Sequence, residues 1–181
     1  MRINSFDVIA PGVLGGEASS AEILGAAVWL WMHSEFHRDL ALETLPTVLL
    51  PIIEKQQYML VSEKGKPVFF LSWMWMDEEG ERRYLEAPGI MTQERDWFSG
   101  PRLWLRDWVA PFGHTQAMKN LVTEYLFPEN CMRALYHRGV TRGKCVKNFR
   151  GDKVSQQQAY DWRAAHPLSA PVKELTARMQ P

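Results

Sequence analysis

Tyr58 to Ser62, the turn Lys64-Gly65-Lys66 and the run Val68 to Met76 constrain this chain more than any other stretch. They read as a β-hairpin whose second strand is almost wholly apolar and aromatic. A strand of that kind must be covered, so the rest of the chain is read for what covers it. Ser19-Ser20-Ala21-Glu22 has capping-box spacing, and Ile23, Ala27, Leu30 and Ser34 follow on one face, which predicts a helix from Ser19 to about Ser34. A second helix is expected from Leu40 to Glu54 with Leu42, Leu45, Leu49 and Ile53 as its stripe, kinked or split by Pro46 and Pro51.

Beyond the hairpin, Asp77 to Gly80 reads as a turn and Tyr84-Leu85 as a short strand or irregular piece. Trp97 to Pro101 reads as a loop and Arg102 to Val109 as a strand ended by Pro111-Phe112-Gly113. A helix from about Thr115 to Leu126 stops at Pro128. Cys131 to Tyr136 and Lys144 to Phe149 make a further hairpin, and helices are expected near Ser155 to Ala165 and from Pro171 to Met179. Residues 1–18, broken by Pro11-Gly12 and Gly15-Gly16, read as a flexible lead-in, leaving 19–181 as one domain. The fold class is therefore α+β: helices packed on a mostly antiparallel sheet. That order is compatible with GNAT-type acyltransferases. However, the turn where such enzymes hold the CoA pyrophosphate would here be Pro111 to Gln116, with a single glycine.

Composition removes several classes of function. Hydrophobic residues at 46% against 23% charged describe a globular chain, not a disordered one. The formal net charge of zero gives no field that would favour nucleic acid. No stretch is long and apolar enough for a membrane span, and no secretory signal is visible. Two cysteines, Cys131 and Cys145, suit a reducing compartment, so a cytoplasmic location is expected. Eight Trp and nine Met suit a core that also borders a greasy groove.

The chemistry-bearing residues gather in two places. Trp29 to Arg38 sets two tryptophans and two histidines at helical spacing, and an imidazole at a helix end can trade protons near neutrality. His33 and His37 lie at i and i+4, but no third ligand is indicated and no metal is expected. Ser34 can hydrogen-bond His37 or simply end the helix. In the strand Arg102 to Val109, alternation puts Leu103, Leu105, Asp107 and Val109 on one face and Trp104, Arg106 and Trp108 on the other. A carboxylate among apolar neighbours needs a partner. Asp107 is either a structural residue satisfied by an arginine or amides, or the residue that orients and charges a histidine. Cys131 and Cys145 have no nucleophile context and read as small packing residues.

Trp29-Leu30-Trp31 with Ser34 and His37-Arg38 resembles the start of the RTX toxin-activating lysine acyltransferases, the haemolysin C type. So do Leu50-Pro51-Ile52, Gln57-Tyr58, Ser72-Trp73, Ser99-Gly100 and above all Asp107-Trp108-Val109-Ala110-Pro111-Phe112-Gly113. The likeness runs from about Ile23 to Lys153. It departs at Pro101, His114 and Leu40, where other residues are common. The resemblance implies an enzyme that carries a fatty acyl chain from acyl carrier protein to internal lysines of an RTX protoxin. It implies no bound cofactor, a homodimer, and a GNAT-related fold lacking the CoA loop. It puts the essential histidine at His37, the important aspartate at Asp107, and supporting residues at Ser34 and Gly100.

The chemistry agrees. A lysine amine of pKa about 10.4 must lose a proton before attacking a thioester. His37 can take that proton, with Asp107 stabilising the imidazolium, or can accept the acyl group itself. Phe69, Phe70, Trp73, Trp75 and Trp104 are candidates for lining an acyl-chain groove. Arg133, Arg138, Arg142, Lys144, Lys147 and Arg150 form a locally basic stretch suited to an acidic donor protein, or to a plain solvated hairpin. Two other classes stand beside the acyltransferase: a non-catalytic module binding the toxin or the acyl carrier, and a GNAT-like acetyltransferase using acetyl-CoA.

Overall fold

In the computed structural model, residues 1–86, 93–136 and 145–172 are described. The expected hairpin is its centre: β3 (Tyr58–Glu63) and β4 (Lys66–Met76) pair antiparallel around Lys64 and Gly65, both at positive φ (51° and 78°), which closes a tight turn. Seven strands follow in sequence order across one sheet: β1 (Arg2–Ile3), β2 (Phe6–Ile9), β3, β4, β5 (Arg102–Val109), β6 (Cys131–Tyr136) and β7 (Cys145–Arg150). All neighbours are antiparallel except β5 and β6, which run parallel. The parallel pair requires a crossover, supplied by α5 (Thr115–Leu121) and a wider π turn, Val122–Leu126, in place of one continuous helix. The α+β class is as expected.

Both faces of β4 are covered, which is why its apolar run has no alternation. On one face, α1 (Ser20–Met32) and α3 (Leu50–Glu54) bring Ile23, Leu30, Trp31 and Ile52 onto Phe70, Met74, Trp104 and Val109. On the other, Met118, Leu121 and Val122 pack on Phe69, Leu71, Trp73, Leu103 and Leu105. The α1 start is the one read from sequence. Ser19 accepts from Glu22 N–H while the Glu22 carboxylate accepts from Ser19 N–H at 2.7 Å, and Ile23, Ala27 and Leu30 are buried. α6 (Gln156–Ala165) is capped in the same reciprocal way by Ser155 and Gln158.

Three expectations give way. Residues 2–3 and 6–9, in the segment read as a flexible lead-in, are strands, with Phe6 opposite Glu63 and Ile9 opposite Leu60, and Val8 and Ala10 fully buried. The glycines mark the loop after β2, not slack before the fold. The helix read from Leu40 to Glu54 is split at its prolines, as read, into a 3₁₀ turn (Leu42–Thr44), α2 (Leu45–Val48) and α3, each α piece opening with a proline at its first turn. Leu42 is consequently exposed, while Leu49 and Ile53 are buried. Tyr84-Leu85 belongs to α4 (Glu78–Glu86), because Asp77 Oδ1 accepts from Gly80 N–H at 2.6 Å and starts a helix where a turn was read. The turn of the last hairpin (137–144) and the helix read from Pro171 to Met179, from residue 173 on, lie outside the described residues. Among the described residues no helix is long and apolar enough to cross a membrane.

Candidate active site

His37 sits in a polar turn beyond α1. The helix ends at His33, whose N–H reaches back to Leu30 and Trp31 carbonyls; a second turn then closes from His37 N–H to Ser34 O (3.1 Å) and from Arg38 N–H to Ser34 O (2.9 Å). Trp31, held in the core by its helix, stacks on the imidazole at 4.9 Å between centroids and 25° between planes, and Phe36 meets it edge-on at 4.9 Å. The ring is thereby buried, at 7% exposure. Ser34 Oγ lies 2.9 Å from Nδ1, and Nε2 faces Asp107 Oδ1 at 3.6 Å. A carboxylate opposite Nε2 keeps the ring proton there, which leaves Nδ1 to accept from the Ser34 hydroxyl.

Asp107 reaches this face because β5 is bulged. Ser72 pairs with Asp107 and Trp73 pairs with Leu105, so Arg106 has no opposite residue on β4. Strict alternation put Asp107 on the side of Leu105. The extra residue reverses that, and Asp107 joins Trp104 and Val109 on the α1 side while Leu105 and Trp108 pack on the other. Arg106 turns the same way: Nη1 donates to Val48 O at 3.0 Å, and the guanidinium lies 5.3 Å from the Trp97 ring centroid.

The two carboxylate oxygens of Asp107 are divided between tasks. Oδ1 faces His37, while Oδ2 accepts from Ser72 Oγ and lies 3.5 Å from Arg106 Nη1. Ser72 is fully buried and also accepts from Asp107 N–H at 3.3 Å. Burial by itself would push the Asp107 carboxyl up. The Arg106 guanidinium beside it, with the interactions from His37 and Ser72, outweighs burial and holds the carboxyl well below the usual carboxylate range. Asp107 is thus a permanent anion at neutral pH. Ser72 and Arg106 were not singled out from sequence. Only the pairing register exposes them, and no period-2 reading contains a bulge.

The other candidates disperse. Gly100 is a packing position: a Cβ there would fall 2.6 Å from Asp77 Cα and 2.8 Å from Met76 O, so only glycine lets the chain pass the end of β4. The five aromatic groove candidates do not form one slot. Phe69 and Trp73 pack on one face of the sheet and Phe70 and Trp104 on the other, and Phe69, Phe70 and Trp104 are wholly buried. Trp73 and Trp75 border a cavity of about 440 Å³ together with Gln57, Trp97 and Phe98. Of the basic candidates, Arg133 is buried: it is bonded to Glu81 at 2.6 Å, and its guanidinium carbon lies 4.8 Å from the Trp162 ring centroid. Arg150 donates to Val154 O, and Lys147 is exposed. Arg138, Arg142 and Lys144 lie outside the described residues. His33 Nδ1 bonds Trp29 O at 2.8 Å, apart from His37, since the helix does not continue to bring the two rings together. Among the described residues no group of three or more His, Cys, Asp or Glu is arranged to hold a metal. Cys131 is half-buried, with its thiol pushed up by that burial, and Cys145 is exposed.

A helix-end imidazole held between a hydroxyl and an anchored carboxylate, on an α+β sheet, defines a candidate acid–base site with the layout of a transferase or hydrolase. The comparisons with known proteins narrow this. Residues 17–150 match the model of the RTX toxin acyltransferase family, and the chain belongs to that family. It is 36% identical over 140 residues to the leukotoxin-activating lysine-acyltransferase LktC serotype A1 of Mannheimia haemolytica, covering 76% of this chain and 81% of the relative. It is also 36% identical over 138 residues to the protein-lysine myristoyltransferase HlyC of Escherichia coli (76% and 80%). The same identity and length hold for the RTX-I toxin-activating lysine-acyltransferase ApxIC of Actinobacillus pleuropneumoniae (76% and 79%).

Proposed function

We propose that this chain is a protein-lysine acyltransferase that moves a fatty acyl group from acyl carrier protein to the ε-amino group of internal lysines of an RTX protoxin, activating it. Family membership and the activities named for the relatives support the reaction class. The observation that carries the reading to residues is His37 Nε2 opposite Asp107 Oδ1, with Ser34 on Nδ1, all inside the matched span.

In this reading the lysine amine attacks the thioester carbonyl and gives its proton, through the Ser34 hydroxyl, to His37 Nδ1. Asp107 stabilises the imidazolium that forms. The C–S bond breaks as the amide forms, and His37 returns the proton to the departing thiolate. The 3.6 Å separation is longer than a hydrogen bond and has room to tighten when substrate is bound. Of the two roles open to the histidine, the base is favoured. An acyl group on Nδ1 would displace Ser34 from a buried ring, whereas a proton replaces nothing.

The turn between β5 and α5 bears on the donor. It carries one glycine, Gly113 at φ +88°, and opens a helix of seven residues, a poor cradle for a CoA pyrophosphate. A fold related to GNAT enzymes without their CoA loop is the matching architecture, and the cytoplasm, where two free thiols stay reduced, is the matching compartment. The test is co-expression with the protoxin followed by intact mass: an added fatty acyl mass on the toxin is expected, and an unmodified toxin would overturn the proposal.

A further inference from the structure

The end of α1 carries an exposed apolar ridge beside the buried histidine. Trp29 (40% exposed) and Met32 (62%) lie on α1 away from the buried stripe of Ile23, Ala27 and Leu30, and Phe36 (42%) is exposed in the turn that follows. The Phe36 ring touches His37, and Trp29 packs on the His33 ring at 4.5 Å. His33 in turn meets Phe112 at 5.1 Å, and Lys66 Nζ lies 4.0 Å from the Phe112 ring centroid. Phe112 follows β5, the strand that supplies Asp107, so the ridge spans the two elements that build the site. Large apolar side chains left in water beside a polar site mark a place where an apolar ligand lies.

We infer that this ridge is the platform for the acyl chain of the donor. The inference rests on the acyltransferase reading above. A chain whose thioester sits at His37 must extend from it. Phe69, Phe70 and Trp104 are sealed in the core, while Phe36 touches His37 and is exposed, and Trp29 and Met32 stand exposed on the last turn of α1 before it. Contact with the chain remote from the reacting carbonyl holds the thioester in place, and its value grows with each methylene removed from water.

The experiment uses the doubly substituted protein Trp29→Glu/Met32→Glu, at exposed positions where the fold tolerates charge, with two loaded donors, myristoyl- and butyryl-acyl carrier protein, and the protoxin as acceptor. The expected result is a kcat/KM lowered by about tenfold or more with the myristoyl donor, within about twofold of the unmodified protein with the butyryl donor, and an unchanged KM for protoxin. Equal losses with both donors, a loss confined to the protoxin KM, or a changed sedimentation coefficient with unchanged rates would overturn it; the last two would assign the ridge to the acceptor or to a second copy. If the unmodified protein acylates with neither donor, the acyltransferase reading itself fails. Lost chain-length discrimination in an active protein isolates the ridge.

Discussion

Ser72 and Asp107 are directly opposed residues of β4 and β5, and the serine hydroxyl holds both ends of the aspartate, donating to Oδ2 and accepting from its backbone N–H. The pairing sits at the bulge that turns Asp107 toward His37, so the same local irregularity aims the carboxylate and supplies the group that fixes it. Ser72 acts on His37 only through Asp107. Ser72→Ala should lower single-turnover acylation by roughly tenfold to a hundredfold, as expected for one hydrogen bond to a charged group. In an Asp107→Asn background the same change should cost less than about twofold. Additive losses in that double-mutant cycle would show that Ser72 acts by another route.

His37→Ala should abolish protoxin acylation, measured by intact mass after co-expression. The ring is buried and stacked on Trp31, so the variant should also lose about 1–2 kcal/mol in urea unfolding. A folded variant that still acylates at the normal rate would remove His37 from the mechanism.

Asp107→Asn removes the charge that stabilises the imidazolium and should reduce acylation by orders of magnitude; a comparable change in a serine-protease triad costs about ten-thousand-fold. Its stability effect has a pH signature. The native carboxyl is held below its unfolded value of about 3.9, so it binds fewer protons folded than unfolded and stabilises the fold fully above that value. The stability gap between native protein and variant should be flat from neutrality to about pH 5 and shrink as pH falls below about 4. A gap unchanged at acid pH would mean that Asp107 is not held as an anion.

What the sequence made legible follows from what periodicity can carry. Ser19 and Glu22 announce α1, Lys64-Gly65 closes the central hairpin, and Arg102 and Val109 bound β5 as read, because each signal is local. His37, Asp107 and Ser34 lie together in the fold, His37 Nε2 opposite Asp107 Oδ1 and Ser34 Oγ on Nδ1. The face of Asp107 did not follow from alternation, since one inserted residue, Arg106, resets the parity and leaves no mark in composition. Phe6 to Ile9 is too short to announce a strand and becomes one only because the edge of β3 is there to pair with. Arg133 counts as a surface charge in any linear reading, and is buried because Glu81, far away in the chain, is buried beside it.

Donor choice tests the turn after β5. Purified protein should transfer acyl groups from acyl carrier protein and use the matching acyl-CoA poorly, since Gly113 alone does not open a pyrophosphate cradle. Equal rates from both donors at matched concentration would contradict this.

Glu81 is fully buried and is the hub of a charged cluster: Oε1 accepts from Trp104 Nε1 at 2.9 Å and from Arg133 at 2.6 Å, and Oε2 accepts from Arg102 and from Ser169 N–H at 3.2 Å. Arg102 also donates to Pro167 O at 2.7 Å and Arg133 to His166 O, so the two arginines tie the stretch after α6 to the sheet. Glu81→Gln leaves two buried guanidinium groups without their anion and should cost about 3–5 kcal/mol, with the chain near His166 to Ser169 becoming the first site of proteolytic cleavage. Arg133→Ala should behave likewise, losing stability while the KM for acyl carrier protein stays the same. A raised donor KM in a stably folded Arg133→Ala protein would return that residue to the docking surface. The acylation rate per folded molecule should be unchanged in Glu81→Gln, which no substitution at His37 or Asp107 would allow.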